Sequence, residues 1–291
     1  MDRVVVSIVG GLSLGGTLAL IALGLVLAFR STHTFNFAHG ELMLIPAFLV
    51  GRWQANDVGP MWLSILVAFA IAAFIGAVFF RLVLRRLVGM PVFMPVIATL
   101  GLAAVLEGLI SIYFGFEQYA IKINFLPSGV FEIFGARISK TNVVVLIFSL
   151  TVALATAAFL KFTHIGTTIR AAGQDPLLAS QGGIRVSRLY TASWAMAGVL
   201  AAIAGITYGV QNVVSPALAS LALIAFPAML LGGLDSIAGA IVGGLAVGLL
   251  QGFVATYFGG ALVDVVTYGV LLVVLLFLPQ GLFGTRQITR L

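Results

Sequence analysis

From Val4 to Met43 the chain reads VVVSIVGGLSLGGTLALIALGLVLAFRSTHTFNFAHGELM. Val4–Phe29 carries no charge, and Arg30–Met43 then holds two of the three histidines together with Arg30 and Glu41. The first part exceeds the ~20 apolar residues that a helix needs to cross a bilayer. It also lacks the period-two alternation of a barrel strand, so it reads as a transmembrane helix. An ionisable group at membrane depth costs at least about 2.5–3.5 kcal/mol on insertion scales. The polar patch is therefore either a loop in water or a break in a span that has a use.

Outward from this stretch the pattern repeats. The 291 residues are 61% hydrophobic and 8% charged, with a mean hydropathy of +1.19, far beyond the needs of a soluble core. Further nearly uncharged runs cover Met61–Phe80, Val92–Leu106, Thr141–Leu160, Leu189–Val214, Leu218–Leu234, Ile237–Phe258 and Val265–Leu278. The shorter run Leu42–Val50 spans only if Phe37–Glu41 join its helix, so residues 31–50 form a discontinuous or re-entrant segment. The expectation is an all-α, polytopic membrane helical bundle of eight or nine spans, forming a single transmembrane domain over residues 1–291. Arg3 ahead of an apolar stretch resembles a secretory signal, but the run is too long for an h-region and no A-x-A-like site follows, so it is expected to be retained. There is no cysteine, hence no disulfide or thiolate chemistry.

The net charge of +6 is spread through short inter-span loops, which argues for topology and against nucleic acid. Arg81, Arg85 and Arg86 form one cluster, Lys161, Arg170, Arg185 and Arg188 a second, and Arg286 with Arg290 a third. With nine crossings these fall with Arg30 on one side, ten basic residues against five, and that side is expected to be cytoplasmic. The C-terminus and the loop 161–190 then lie inside. The N-terminus and the long loop Phe116–Lys140 lie outside.

Glycines four apart at Gly11/Gly15, Gly205/Gly209, Gly239/Gly243 and Gly244/Gly248/Gly252 read as close-packing faces, because small residues let helices approach where lipid removes the hydrophobic drive. LALIA occurs at Leu18–Ala22 and at Leu221–Ala225, followed by Gly24 and by Pro227. This is either a chance recurrence or the trace of two related halves with matched interruptions. The loop KFTHIGTTIRAAGQDPLLASQGGIRVSRLY, from Lys161 to Tyr190, is organised: Thr167–Gly173 can form a helical turn or two, Asp175–Pro176 can start a helix, and Gly182–Gly183 can end it. Leu177, Leu178, Ala179 and Ile184 in it call for a partner, whereas a plain connector would need none.

GLSLGGTLALIALGLVLAFR with NFAHGELM (Asn36–Met43), the loop Gly166–Ile184, LGGLDSIAGAIVGG (Leu231–Gly244) and LPQGLFG (Leu278–Gly284) together resemble the permease subunits of branched-chain amino acid ABC importers, of the high-affinity leucine/isoleucine/valine type. The likeness runs from residue 11 to 284. One departure is that Leu177 and Leu178 stand where members often have Glu-Ala, so only Ala179, Gly183 and Ile184 carry over there.

The resemblance implies half of a translocation pathway. A second related permease would supply the other half, in a heterodimer in preference to a homodimer. Two ATP-binding cassette subunits would dock on the cytoplasmic loops, and a periplasmic or extracellular substrate-binding protein would deliver the amino acid. The site would be a multi-pass permease in the prokaryotic plasma (inner) membrane, in contact with lipid. No G-x-x-x-x-G-K-[ST] loop is present, so the chain is expected not to be an enzyme and to bind no cofactor, with ATP and Mg on the partner subunits. Contact with the ATPase falls to Arg170, Gln174, Asp175, Ala179, Gly183 and Ile184. Candidates for the pathway are Asn36, His39, Glu41 and Glu107. The bland alternative has Asn36 capping a helix, His39 and Glu41 satisfying freed backbone groups, and Glu107 paired inside the bundle. Asp235 is expected in a turn between spans and Asp264 at the outer end of the last one. No metal site is expected, because His33, His39 and His164 are too dispersed. Urea or short-amide importers use closely related permeases, and an ion-coupled carrier using Glu107 or Asp264 is the reading from another class.

Overall fold

The computed structural model describes residues 2–115, 117–123, 126–127, 129–133 and 135–284. The basic pair Arg286 and Arg290 lies outside the described residues. The chain runs through α1 (Asp2–Thr32), α2 (His39–Ala55), α3 (Met61–Phe79) continuing through a π turn (Phe80–Leu84) into α4 (Arg85–Leu87), and α5 (Phe93–Tyr113). A hairpin follows, β1 (Val130–Ile133) and β2 (Ala136–Ser139), and then α6 (Lys140–Phe162), α7 (His164–Gln174), α8 (Pro176–Gln181) and α9 (Val186–Gln211). A 3-10 turn (Pro216–Ser220) leads into α10 (Leu221–Gly232), and α11 (Ile237–Tyr257) and α12 (Val263–Phe277) close the bundle.

Among the described residues seven helical stretches are long and apolar enough to cross a membrane. The other two crossing candidates are short: α2 has 17 residues, and the Leu218–Leu234 run is split into the 3-10 turn and the 12-residue α10. Both short helices carry an internal proline, Pro46 and Pro227, and both follow a stretch without α-helix. The expected break near residues 31–50 is thus present and has a counterpart at residues 212–220. The LALIA pair does not mark matched interruptions: the first copy sits inside the continuous 31-residue α1, and the second opens α10.

α1 is the central element, with 83% of its most apolar window buried, against 22% for α5 and 11% for α12. It packs on α11, α9, α6 and α10. The seam with α11 is built of the glycines. A Cβ on Gly11 would stand 2.8 Å from the Gly248 carbonyl oxygen and one on Gly15 2.9 Å from Leu245 Cα, while Gly244 and Gly248 press on the backbones of Ala19 and Gly15. Dispersion between touching backbones replaces the hydrophobic drive here. Gly205 on α9 meets the Met43 carbonyl of α2 in the same way.

The two ends of the bundle differ. At one end the antiparallel hairpin pairs Val130 with Ser139 through Ile133 with Ala136, Gly135 lies against Asp2, and Tyr119 pairs with Val214. This hairpin was not expected in an all-α chain. It lies in the loop after α5, buries Ala136 and Ile138, and leaves Arg137 exposed in a 3.1 Å ion pair with Glu132. Beside it Tyr119 donates its hydroxyl to Glu117, and that bond, with burial, holds the phenol above its usual range. At the other end Arg30 meets α7, and Arg81, Arg85, Arg185 and Arg188 converge. The glycine-containing tail Leu278–Gly284 closes that end: Leu282 and Phe283 donate backbone N–H to Leu231 and Gly232 at 2.8 and 3.0 Å.

Candidate functional site

The site begins where α1 ends. His33 has a positive φ of 51°, which turns the chain back, and residues 34–36 run on without regular structure before α2 starts at His39. Backbone groups freed in this way must find partners inside the bundle. Asn36, buried, accepts the Ala38 N–H on Oδ1 at 3.2 Å, and His39 N–H reaches the Asn36 carbonyl at 3.3 Å. Thr99 of α5, fully buried, donates its hydroxyl to the Phe35 carbonyl at 3.1 Å and lies 3.4 Å from the Phe37 nitrogen. Thr99 is therefore part of the support for the break. No charge or motif marks it in the sequence.

The second interruption lands on the first. Gly40, in the first turn of α2, is pressed against the Ala219 carbonyl of the 3-10 turn, where any Cβ would collide. Phe37 stacks on Phe226 of α10 at 5.1 Å and 21°, and Phe35 touches both Phe29 (4.8 Å) and Phe226 (6.1 Å). The start of α2 thus faces the start of α10 across a small aromatic cluster. Half-helices meeting within a bundle are how many membrane transporters build a solute site, with the positive ends of their dipoles available to anionic groups.

The named polar residues divide. His39 is fully buried between helices, its ring against Gly24, whose Cβ would stand 2.7 Å from Cε1, and neither of its nitrogens has a partner among the described residues. It does not satisfy freed backbone groups, so that expectation is corrected: the ring fills space between α1 and α2. Glu41 is half-buried, and its Oε2, which is buried, has no partner among the described residues. Glu107 is exposed on α5 and has no ion pair among the described residues, a second correction; it stands near enough to Glu41 for the two carboxylates to repel each other. The loosely packed α5 turns this carboxylate away from the core, because its buried side is the Thr99, Leu106 and Ile110 face. The structure brings Asn36, Glu41, Glu107 and the Phe37–Phe226 pair to one region, and sets His39 behind it.

At the basic end, α7 and α8 form an elbow. The Thr163 hydroxyl caps α7 by accepting Gly166 N–H at 3.2 Å. Arg170 donates to the carbonyls of Leu160 and Lys161 and to Thr167 Oγ1, which locks the turn between α6 and α7. Asp175 accepts the N–H groups of Leu177 and Leu178, both at 2.9 Å, with Pro176 in the first turn of α8, and Gly183, at φ 82°, ends the unit. Ala172 and Ala179 are buried with Phe80, Leu84, Tyr190 and Trp194. Leu177 and Leu178 project outward, 68% and 64% exposed. Gln174 is exposed, and Ile184 packs at the edge of the buried cluster.

The elbow and the broken helix are joined. Gly173 sits on the Arg30 carbonyl, the Tyr190 hydroxyl donates to the Ala172 carbonyl at 2.8 Å, and His33 Nε2–H donates to the Gly173 carbonyl at 3.0 Å. His33, which starts the turn toward Asn36, is thus bonded to the last turn of α7.

This is a polytopic α-helical membrane protein with paired half-helices at a polar cluster and an exposed elbow at its basic end. The chain belongs to the branched-chain amino acid transport system / permease component family, whose model matches residues 7–275. Among curated proteins it is similar to the high-affinity branched-chain amino acid transport system permease protein BraD of Pseudomonas aeruginosa, 30% identical over 97% of this chain and 96% of that one. It is also similar to the corresponding permease LivH of Salmonella typhimurium, 29% identical over 96% and 95% of the two chains. A probable branched-chain amino acid transport permease protein LivH of Methanocaldococcus jannaschii is 28% identical over 94% and 91%. A solved structure, PsaBC from Streptococcus pneumoniae in complex with Fab, superimposes with a TM-score of 0.52 at 14% identity, covering 96% of this chain and 93% of that one, and this likeness bears on the fold alone.

Proposed function

We propose that this chain is the transmembrane subunit of an ATP-driven importer for branched-chain amino acids, supplying half of the translocation path. The family and the printed names of its relatives support the substrate class. One observation carries the mechanical part: the elbow that offers Leu177 and Leu178 outward is hydrogen-bonded through Gly173 to His33, at the root of the broken helix.

In this reading the chain binds no ATP. Two ATP-binding subunits grip the elbow, using the exposed leucines of α8 together with Gln174, Gly183 and Ile184. Asp175 and Arg170 hold the elbow's shape. A push on α7 reaches the His33 turn and so changes how α2 meets α10. Such coupling requires that the nucleotide state and the solute each favour the same one of two bundle arrangements.

The path runs along the face shared by α2, α5 and α10. A carboxylate on the exposed side of α5 is too costly to leave in lipid. Glu107 therefore calls for cover by a second, related permease with solvated space between the two. There Glu41 and Glu107 suit the ammonium of an amino acid, the half-helix start suits its carboxylate, and the Phe37–Phe226 pair suits a branched aliphatic side chain. A soluble binding protein delivers the solute at the hairpin end. The clustering of basic residues at the elbow end supports its assignment to the cytoplasmic side of a prokaryotic inner membrane.

Reconstitution tests this. Vesicles containing the full complex are expected to take up leucine only with ATP inside and the binding protein outside. Leucine flux through the chain alone under an ion gradient would overturn the proposal.

A further inference from the structure

Four arginines meet at one place that the transport reading leaves unused. Arg81 lies in the π turn after α3, Arg85 opens α4, Arg185 precedes α9 and Arg188 lies in its first turn. Together with Ser187 and Thr191 they line a cavity of about 420 Å³. All four are exposed, and none of their guanidinium groups has a hydrogen bond or an ion pair within the described residues. Like charges that converge repel one another, so the arrangement asks for an anion to fill it. Sidedness alone would need these charges at this end of the bundle but would not gather them, and Arg86, on the same turn, stays out of the cavity.

Two local features sharpen the chemistry. No side chain caps α9, so the positive end of a 26-residue helix also opens here. The π turn, a distortion that tends to occur at functional positions, sets Arg81 and Arg85 toward the same cavity. Arginine forks match the oxygens of a phosphate in pairs. The cavity lining is itself polar, but Leu82 and Val83, next to Arg81 in the same π turn, are 64% and 37% exposed at the foot of a membrane-spanning helix.

We propose that this cavity binds the phosphate of an anionic phospholipid headgroup, with the acyl chains running beside Leu82 and Val83. The shared chemistry is a phosphate anion, and the apolar flank selects the lipid over free phosphate. Basic pockets between spanning helices are a recognised setting for such headgroups. The site would fasten α3 to α9 at the root of the elbow.

Native mass spectrometry of the purified full-length chain, with phosphatidylglycerol or phosphatidylcholine offered at equal concentration, reads this directly. Phosphatidylglycerol should be retained in preference, and Arg81→Gln or Arg188→Gln should each lower its affinity about fivefold. Arg86→Gln should leave it unchanged. Equal retention of the two lipids would overturn the proposal, as would an equal loss in Arg86→Gln, which would mark plain surface charge. Displacement by millimolar inorganic phosphate would reassign the cavity to the free ion. Unchanged lipid retention in Arg81→Gln with loss of ATPase co-purification would reassign it to a protein contact.

Discussion

Glu41 and His39, two positions apart, show how little residue type says without its surroundings. His39 is the more conspicuous letter, yet it is enclosed by α1 and packs against Gly24, whereas Glu41 is half-buried and keeps one carboxylate oxygen, itself buried, without a partner among the described residues. Glu41→Gln is expected to lose a charge-assisted contact worth about 1.5–3 kcal/mol, roughly ten- to hundredfold in leucine uptake. The amount of protein in the membrane should stay near wild type, and immunoblotting against uptake separates the two. That polar residues would gather near the first break was legible from Asn36, His39 and Glu41. Thr99 was not legible, because a lone threonine in an apolar helix carries no signal until the Phe35 carbonyl is placed beside it.

Elements were more readable than residues. Uncharged runs gave away every long helix, and Asp175–Pro176 with Gly182–Gly183 delimited α8 as the structure has it. The hairpin 130–139 escaped because hydropathy dominates so apolar a chain, although ARIS alternates directly after Gly135. Leu218–Leu234 read as one crossing because hydropathy does not register a 3-10 turn. Two element-level outcomes are expected. Gly183→Val places a β-branched residue at φ 82°, a strain of about 1–3 kcal/mol. It should deform the end of the elbow and leave ATP hydrolysis running with reduced transport, seen as a higher ratio of ATP split to leucine moved. Gly248→Leu forces a side chain into the Gly15 backbone, an overpacking cost of about 1–3 kcal/mol or more. Its thermal unfolding midpoint in detergent should fall clearly below wild type.

For the whole molecule, the absence of native cysteine makes single-cysteine probes straightforward. Leu100, 49% exposed on α5 and two helical turns from Glu107 on the same side, should cross-link to the second permease when replaced by cysteine, and Phe277 on α12, 74% exposed, should not. The reverse result would move the path to another face. The same architecture has a cost in time. The first helix to leave the ribosome finishes at the centre of the bundle, and its glycine face is met by α11, made more than two hundred residues later. At about 5–20 residues per second that wait is on the order of 10–50 s. During it, a bare seam of glycine backbone stands in the bilayer as an invitation to the wrong helix, so newborn chains that stall before α11 should be prime substrates for membrane proteases.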